Sequence, residues 1–182
     1  MDSPENLLST TLTPQEAYKL TQFDATQYPA LVDVYYEFLF SMYLGLTRKE
    51  TATLNRDENF SETEQGLFLL FSVNKGEESV PMLAPITVNL EEVVEGATAT
   101  IYHLYKERYG DPFFGPITDR VYEVKVRELL KTAGIERKLS LDLDFARRSG
   151  LTYYQSLGMS MEEIREVMGL VDDFAEVAES VN

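Results

Sequence analysis

The sequence contains no cysteine and only one histidine, His103. Without cysteine there is no disulfide, no thiolate metal ligand and no thiol nucleophile. With one histidine, a histidine-rich metal site and most histidine-centred triads are excluded as well. Neither a metal nor a cofactor is expected. No run reaches the roughly 20 apolar residues that span a bilayer. The start, Met1-Asp2-Ser3-Pro4-Glu5-Asn6, lacks the basic and apolar stretches of a secretory signal. A membrane is therefore not an expected partner, and the expected location is the cytoplasm. There is no internal repeat and no low-complexity tract.

Positive charge is also scarce, with 16 basic residues against 31 acidic ones and a net charge of −15. Such a surface repels phosphate backbones unless its cations are gathered in one place. Between positions 119 and 148 eight basic residues meet six acidic ones, a surplus of two, which leaves −17 on the rest of the chain. That segment reads either as an ordinary solvated face of mixed charge or as a reduced nucleic-acid patch.

What is present suits one domain with a real core: 182 residues, 44% of them hydrophobic. Residues 1–12 read as a tail or linker stub. Thr13-Pro14-Gln15-Glu16 has the capping-box pattern of a helix start, and the helix should run to about Phe23. Pro29 should open a longer helix with one buried face on Leu31, Val34, Tyr35, Phe38, Leu39 and Met42, ended by Gly45. A short helical turn is expected over 48–54. Residues 66–73 read as a strand, 74–78 as a turn and 79–83 as the partner strand, with Pro81 confining that partner to an edge. Helices follow over about 90–109 and 119–132, and from about 143 onward with a break at Gly158-Met159-Ser160. The expected fold is α+β and mostly helical, with one small antiparallel sheet. Its domain spans 13–170 and is followed by an amphipathic helix over 171–182.

Six segments in order resemble the catalytic domain of the tyrosine recombinases, the phage-integrase family. Leu12-Thr13-Pro14-Gln15-Glu16-Ala17 is similar to "LTPEEA". Leu44-Gly45-Leu46-Thr47-Arg48-Lys49-Glu50 is similar to "TGLRxGE", with 54–57 where the family has a turn. Lys75-Gly76 through Val80-Pro81 resembles the lysine-bearing hairpin, and Lys131-Thr132-Ala133-Gly134-Ile135 resembles "KRAGI". Asp144-Phe145-Ala146-Arg147-Arg148-Ser149 stands where the family has "HxLRHT". Gly158-Met159-Ser160-Met161-Glu162-Glu163-Ile164, then Val167-Met168-Gly169, resembles "GVSLEEIxxLLG". The resemblance covers about residues 12–170. It implies the integrase-type fold and the DNA-recombination and integration chemistry of mobile elements. There a tyrosine attacks a DNA phosphodiester while two arginines, a lysine and histidines manage charge and protons.

The same resemblance names the positions to inspect. The first arginine falls on Thr47, and Arg48 next to it points about 100° away on a helix. The lysine survives as Lys75. The first histidine is Asp144, the second arginine is kept as Arg147, and the second histidine is Leu170. The tyrosine has no counterpart, and Glu179 lies near its place. Loss of one charge-stabilising group costs about 10²–10³ in rate, and loss of the nucleophile removes the pathway. A carboxylate at Asp144, about 4 Å from a phosphate oxygen, costs on the order of 4 kcal/mol at a surface-like dielectric. It stands at i,i+3 from Arg147 and can pair with it instead.

The expectation is a recombinase-like domain that is catalytically inactive and kept for binding or regulation. The alternative is a residual DNA-binding protein of a mobile element using the 119–148 face, with Arg137, Lys138, Arg147 and Arg148 as its contacts. The partner is then weakly bound DNA or another protein. Tyr153 and Tyr154 are rival nucleophiles in a third, active reading, but core packing explains them. A helix residue suffices for His103, and a first-turn acidic pair for Glu162-Glu163. The 152–169 segment has helix-turn-helix texture but offers acids where a DNA reader needs Arg, Lys, Asn or Gln. The family usually carries a separate N-terminal clamping domain, for which these residues have no room, so either a fragment of a longer protein or a stand-alone domain is expected. Val171, Phe174, Ala175, Ala178 and Val181 form an apolar stripe. It should pack in cis and leave a monomer, although exchange with a neighbour is possible.

Overall fold

Thr13 opens the first helix. Its hydroxyl accepts from Glu16 N, and its own N–H donates to the Glu16 carboxylate at 2.8 Å, with Pro14 in the first turn. The computed structural model describes residues 9–74 and 83–168. In chain order its elements are α1 (Pro14–Thr21), α2 (Val32–Leu44), α3 (Arg48–Thr51), α4 (Arg56–Asn59), β1 (Phe60–Thr63), β2 (Gly66–Asn74), β3 (Leu83–Asn89), α5 (Ala97–Tyr105), α6 (Asp119–Thr132), α7 (Phe145–Ser156) and α8 (Met161–Met168). They divide into two compact units, Met1–Thr51 with Ile117–Asn182, and Ala52–Pro116. The architecture is mostly helical with one antiparallel sheet, as the sequence implied.

In the first unit α2 is central, with α3, α6, α7 and α8 packed on it. Its core side expected from the sequence is buried, but Glu37, Phe40, Ser41, Tyr43 and Leu44 are buried too. Neighbours on several sides leave no solvent face, and this is why the segment is apolar almost all round. The helix starts at Val32 and not at Pro29, because residues 29–31 form a turn in which Leu31 N and Val32 N both donate to Tyr28 O. Gly45 ends it at φ 68°, the left-handed cap that favours glycine. Residues 9–12, read as part of a tail, are packed against the unit. Ser9 forms a parallel bridge with Leu139, Leu12 is fully buried, and Leu12 N donates to Ser149 Oγ at 3.2 Å.

The second unit is built on a sheet of order β1-β2-β3. β2 lies where expected. Among the described residues its partner is β3, which begins at Leu83, with Pro85 opposite Ser72 on an edge strand, where a missing N–H costs little. Residues 75–82, with Lys75 and Pro81, lie outside the described residues. The short strand β1 was not expected. Near it Asn55 caps α4 by accepting from Asp57 N and Glu58 N, so the turn that the resemblance puts at 54–57 leads into a short helix. The rings of Phe60 and Phe113 lie 4.5 Å apart and Tyr102 stacks on Phe113 at 5.7 Å, an aromatic core of ordinary geometry. The helix expected over 90–109 shortens to α5. Val94, Glu95 and Gly96 before it are left-handed, with φ of 49°, 52° and 82°, which no continuous right-handed helix can include. His103 is exposed on α5. Among the described residues no helix is long and apolar enough to cross a membrane, and no acidic or histidine cluster could hold a metal.

Candidate functional site

The start of α3 and the start of α7 meet in the first unit. Arg48 N donates to Leu143 O at 2.8 Å, so the Thr47–Arg48 peptide lies beside the residue that precedes Asp144. Thr47 and Asp144, far apart in sequence, are thus neighbours, and half-buried Arg147 follows in the first turn of α7. Lys75, Leu170 and Glu179 lie outside the described residues. Thr47 is committed to its own helix. Its N–H donates to Glu50 at 2.6 Å and its hydroxyl accepts from Glu50 N at 3.2 Å, the reciprocal cap of a helix start. Asp144 stands before α7 without a side-chain capping bond.

Arg48 turns inward, away from the position its neighbour occupies. It is 2% exposed and binds the Glu37 carboxylate, itself 1% exposed. It also donates to Ile117 O at 2.8 Å, lies 3.3 Å from Asp119 and stacks its guanidinium 4.5 Å above the Tyr122 ring. Thr51 donates to the same Glu37 oxygen at 2.9 Å. Sequence reasoning missed this cluster. The available signal was Glu37 itself, an acid set between Tyr36 and Phe38 in the apolar middle of α2.

Burial pushes the Glu37 carboxyl up to about 6 from its ordinary 4.5, against the pull of Arg48 and Thr51 and helped by the Asp119 charge. The folded chain therefore holds this proton more tightly than the unfolded chain does. The contribution to stability is complete below about 4.5 and is lost as pH rises through about 6, an effect of about 2 kcal/mol. Urea unfolding between pH 4.5 and 6.5 should show wild-type stability falling by that order, with Glu37→Gln nearly flat over the same window. Parallel curves for the two proteins would refute this assignment.

The expected DNA contacts have separate placements. Arg137 makes a two-pronged pair with Glu16, Nε to Oε1 and Nη2 to Oε2 both at 2.7 Å, and also donates to Thr11 O at 2.8 Å. Arg148 donates to Thr10 O at 2.9 Å and to Asp142 at 2.7 Å. Both arginines thus hold the 9–16 segment or its neighbourhood in place. Lys138 is exposed. Burial works to raise the Glu16 carboxyl, but the Arg137 fork and the Thr13 bonds bring it below its ordinary value. Arg137→Ala should cost roughly 1.5–3 kcal/mol, the usual worth of a charged hydrogen-bond pair. Arg137→Lys, which keeps the charge without the fork, should recover less than half of it. Denaturant midpoints within error of wild type would contradict the clamp.

Tyr153 and Tyr154 are 6% and 2% exposed, and the Tyr154 hydroxyl donates to Tyr43 O. Burial drives the Tyr154 phenol far above its ordinary value, and the neighbouring Tyr153 and Tyr43 add to that. Such a phenol is a poor nucleophile. In α8, Ser160 N donates to the Glu163 carboxylate at 2.7 Å and its hydroxyl accepts from Glu163 N. Glu162, Glu163 and Glu166 face solvent, so the exposed side of α8 is acidic.

No family model and no curated protein sequence matches the chain. Among solved structures it is similar to the XerH site-specific recombinase bound to its difH substrate in a pre-cleavage complex. The TM-score is 0.55 and the identity 14%, over 96% of this chain and 52% of that one. The chain spans about half the length of that recombinase, and the likeness is one of fold.

Proposed function

We propose that this chain is a recombinase-like domain that does not cleave DNA and is kept for binding or regulation. The observation that carries it is the meeting of α3 and α7. At the place that the family resemblance assigns to strand-cleaving chemistry stand a helix-capping threonine, an aspartate and, of the charge-stabilising set, Arg147. The adjacent cation, Arg48, is spent on Glu37 inside the core. Forked guanidinium donors suit a phosphoryl transition state, and this pair of helix starts presents one of the two that the family uses. The sequence of 169–182 contains no tyrosine. Supercoiled plasmid incubated with the protein should stay supercoiled on a gel, with or without divalent cations. Relaxed topoisomers that persist in a doubly purified preparation would overturn the proposal.

A second reading, residual duplex binding through the 119–148 face, draws support from Arg127, Lys131, Arg137 and Lys138, which line one groove. Several of that face's cations have other work: Lys125 donates to Ala30 O at 3.0 Å, Arg127 pairs with Glu123 at 3.2 Å, and Arg137 and Arg148 are placed as above. The reading therefore rests mainly on Arg120, Lys131 and Lys138.

A further inference from the structure

A cavity of about 400 Å³ opens in the first unit between α2, α6 and the segment 141–146. That volume lies within the roughly 300–1,000 Å³ of small-molecule pockets. Phe38, Tyr122, Val126, Phe145 and Ala146 line it, and all five are buried. Its exposed rim, Asp119, Arg120, Glu123 and Asp142, is of mixed charge. The three acids there are paired with Arg48, Arg127 and Arg148, so the mouth has no strong preference for a charged guest. One polar group interrupts the apolar lining. Tyr122 is 6% exposed, and its hydroxyl has no hydrogen-bond partner among the described residues. Arg48 stacks on the ring and leaves the hydroxyl unserved. Burial holds the phenol well above its ordinary value, so it stays an O–H donor at neutral pH. A buried donor without an acceptor is destabilising, and in native folds such a group is commonly completed by a water or a ligand. A buried water needs about two to four polar partners of its own, and the lining around Tyr122 is aromatic and aliphatic.

We propose that this cavity binds a small, uncharged and mostly apolar molecule with one carbonyl-type acceptor. Its body lies on Phe38, Val126 and Phe145, and its acceptor takes the Tyr122 O–H. The wall 141–146 also carries Asp144, and Leu143 O accepts from Arg48 N. An occupant therefore rests against the place where α3 and α7 meet. This holds whether or not the domain cleaves or binds DNA.

Acetophenone is a probe of this size and chemistry. Isopropenylbenzene, with a methylene group in place of the carbonyl oxygen, has the same shape without the acceptor. Titrated into the full chain, acetophenone should shift the methyl NMR signals of Val126, Leu141, Leu143 and Ala146 to saturation and leave those of the second unit in place. Tyr122→Phe removes a hydroxyl that has no partner, so that protein should unfold at the same denaturant concentration or a higher one. It should bind acetophenone about five-fold more weakly, the worth of one hydrogen bond, and isopropenylbenzene as wild type does. Equal weakening of both probes, or acetophenone binding unchanged by the substitution, would overturn the hydrogen bond from Tyr122. A Tyr122→Phe protein that unfolds markedly earlier would overturn it too, because the hydroxyl would then be served within the fold. Absence of a saturable shift at these methyls, or shifts spread over the whole chain, would overturn the site itself and leave the non-cleaving reading of the domain untouched.

Discussion

Arg48→Ala should destabilise the protein by about 3–5 kcal/mol at neutral pH, the usual cost of stranding one member of a buried ion pair. The substitution leaves Glu37, 1% exposed, with the hydrogen bond from Thr51 but without its cation. It also removes the cation stacked on Tyr122 and the donor to Ile117 O. The stranded carboxylate can escape only by taking up a proton. The loss should therefore shrink as the pH is lowered toward 5, which a simple packing defect would not do. The double change Glu37→Leu/Arg48→Met should restore most of the stability, because a buried pair replaced by apolar groups of similar volume is often neutral or better. Chemical denaturation of wild type, Glu37→Leu, Arg48→Met and the double variant in a thermodynamic cycle gives the coupling directly. An Arg48→Ala protein within about 1 kcal/mol of wild type would mean that Glu37 is not ionised in the fold.

Binding to DNA should be weaker than the roughly 10⁻⁴–10⁻⁶ M typical of non-specific binding at physiological salt. The net charge of −15 opposes approach. Of the eight cations between 119 and 148, Lys125, Arg127, Arg137 and Arg148 are held by groups of the fold. With at least these four so held, the logarithmic salt slope should be no steeper than about −4. Fluorescence anisotropy with a labelled duplex over a salt series measures both quantities. Submicromolar affinity with a steep slope would put the cations together in a way the chain's own pairing opposes.

The sequence announced those elements whose ends carry local chemistry. The Thr13 capping box and Gly45 left clear marks, and α6 has the expected limits because its pattern runs unbroken from Asp119 to Thr132 before Gly134. β2 was legible as a run of apolar and aromatic residues. Its neighbour β1 was not, because four residues hold too little alternation to stand out. The helix assigned to 90–109 was overrun at its start, since nothing in Val94-Glu95 suggests two left-handed residues. At the candidate site, the identities of Thr47, Asp144 and Arg147 were readable, and so was the burial of Tyr153 and Tyr154. The inward turn of Arg48 was not. It depends on Glu37 being enclosed by helices distant in the chain, and this is a tertiary fact. The double use of Arg137 and Arg148 as braces for residues 9–16 was hidden for the same reason.

Absence of strand cleavage is tested most directly with duplexes that carry a nick near a cleavage site, which trap any covalent protein–DNA intermediate by loss of a short strand. A set of random-sequence nicked duplexes removes dependence on a known target, and intact-mass spectrometry reads the protein. The expected result is the unmodified mass alone, for wild type and for Thr47→Arg, because one arginine does not supply a nucleophile. A protein species heavier by one DNA strand, joined through a tyrosine and lost in Tyr153→Phe or Tyr154→Phe, would contradict the account.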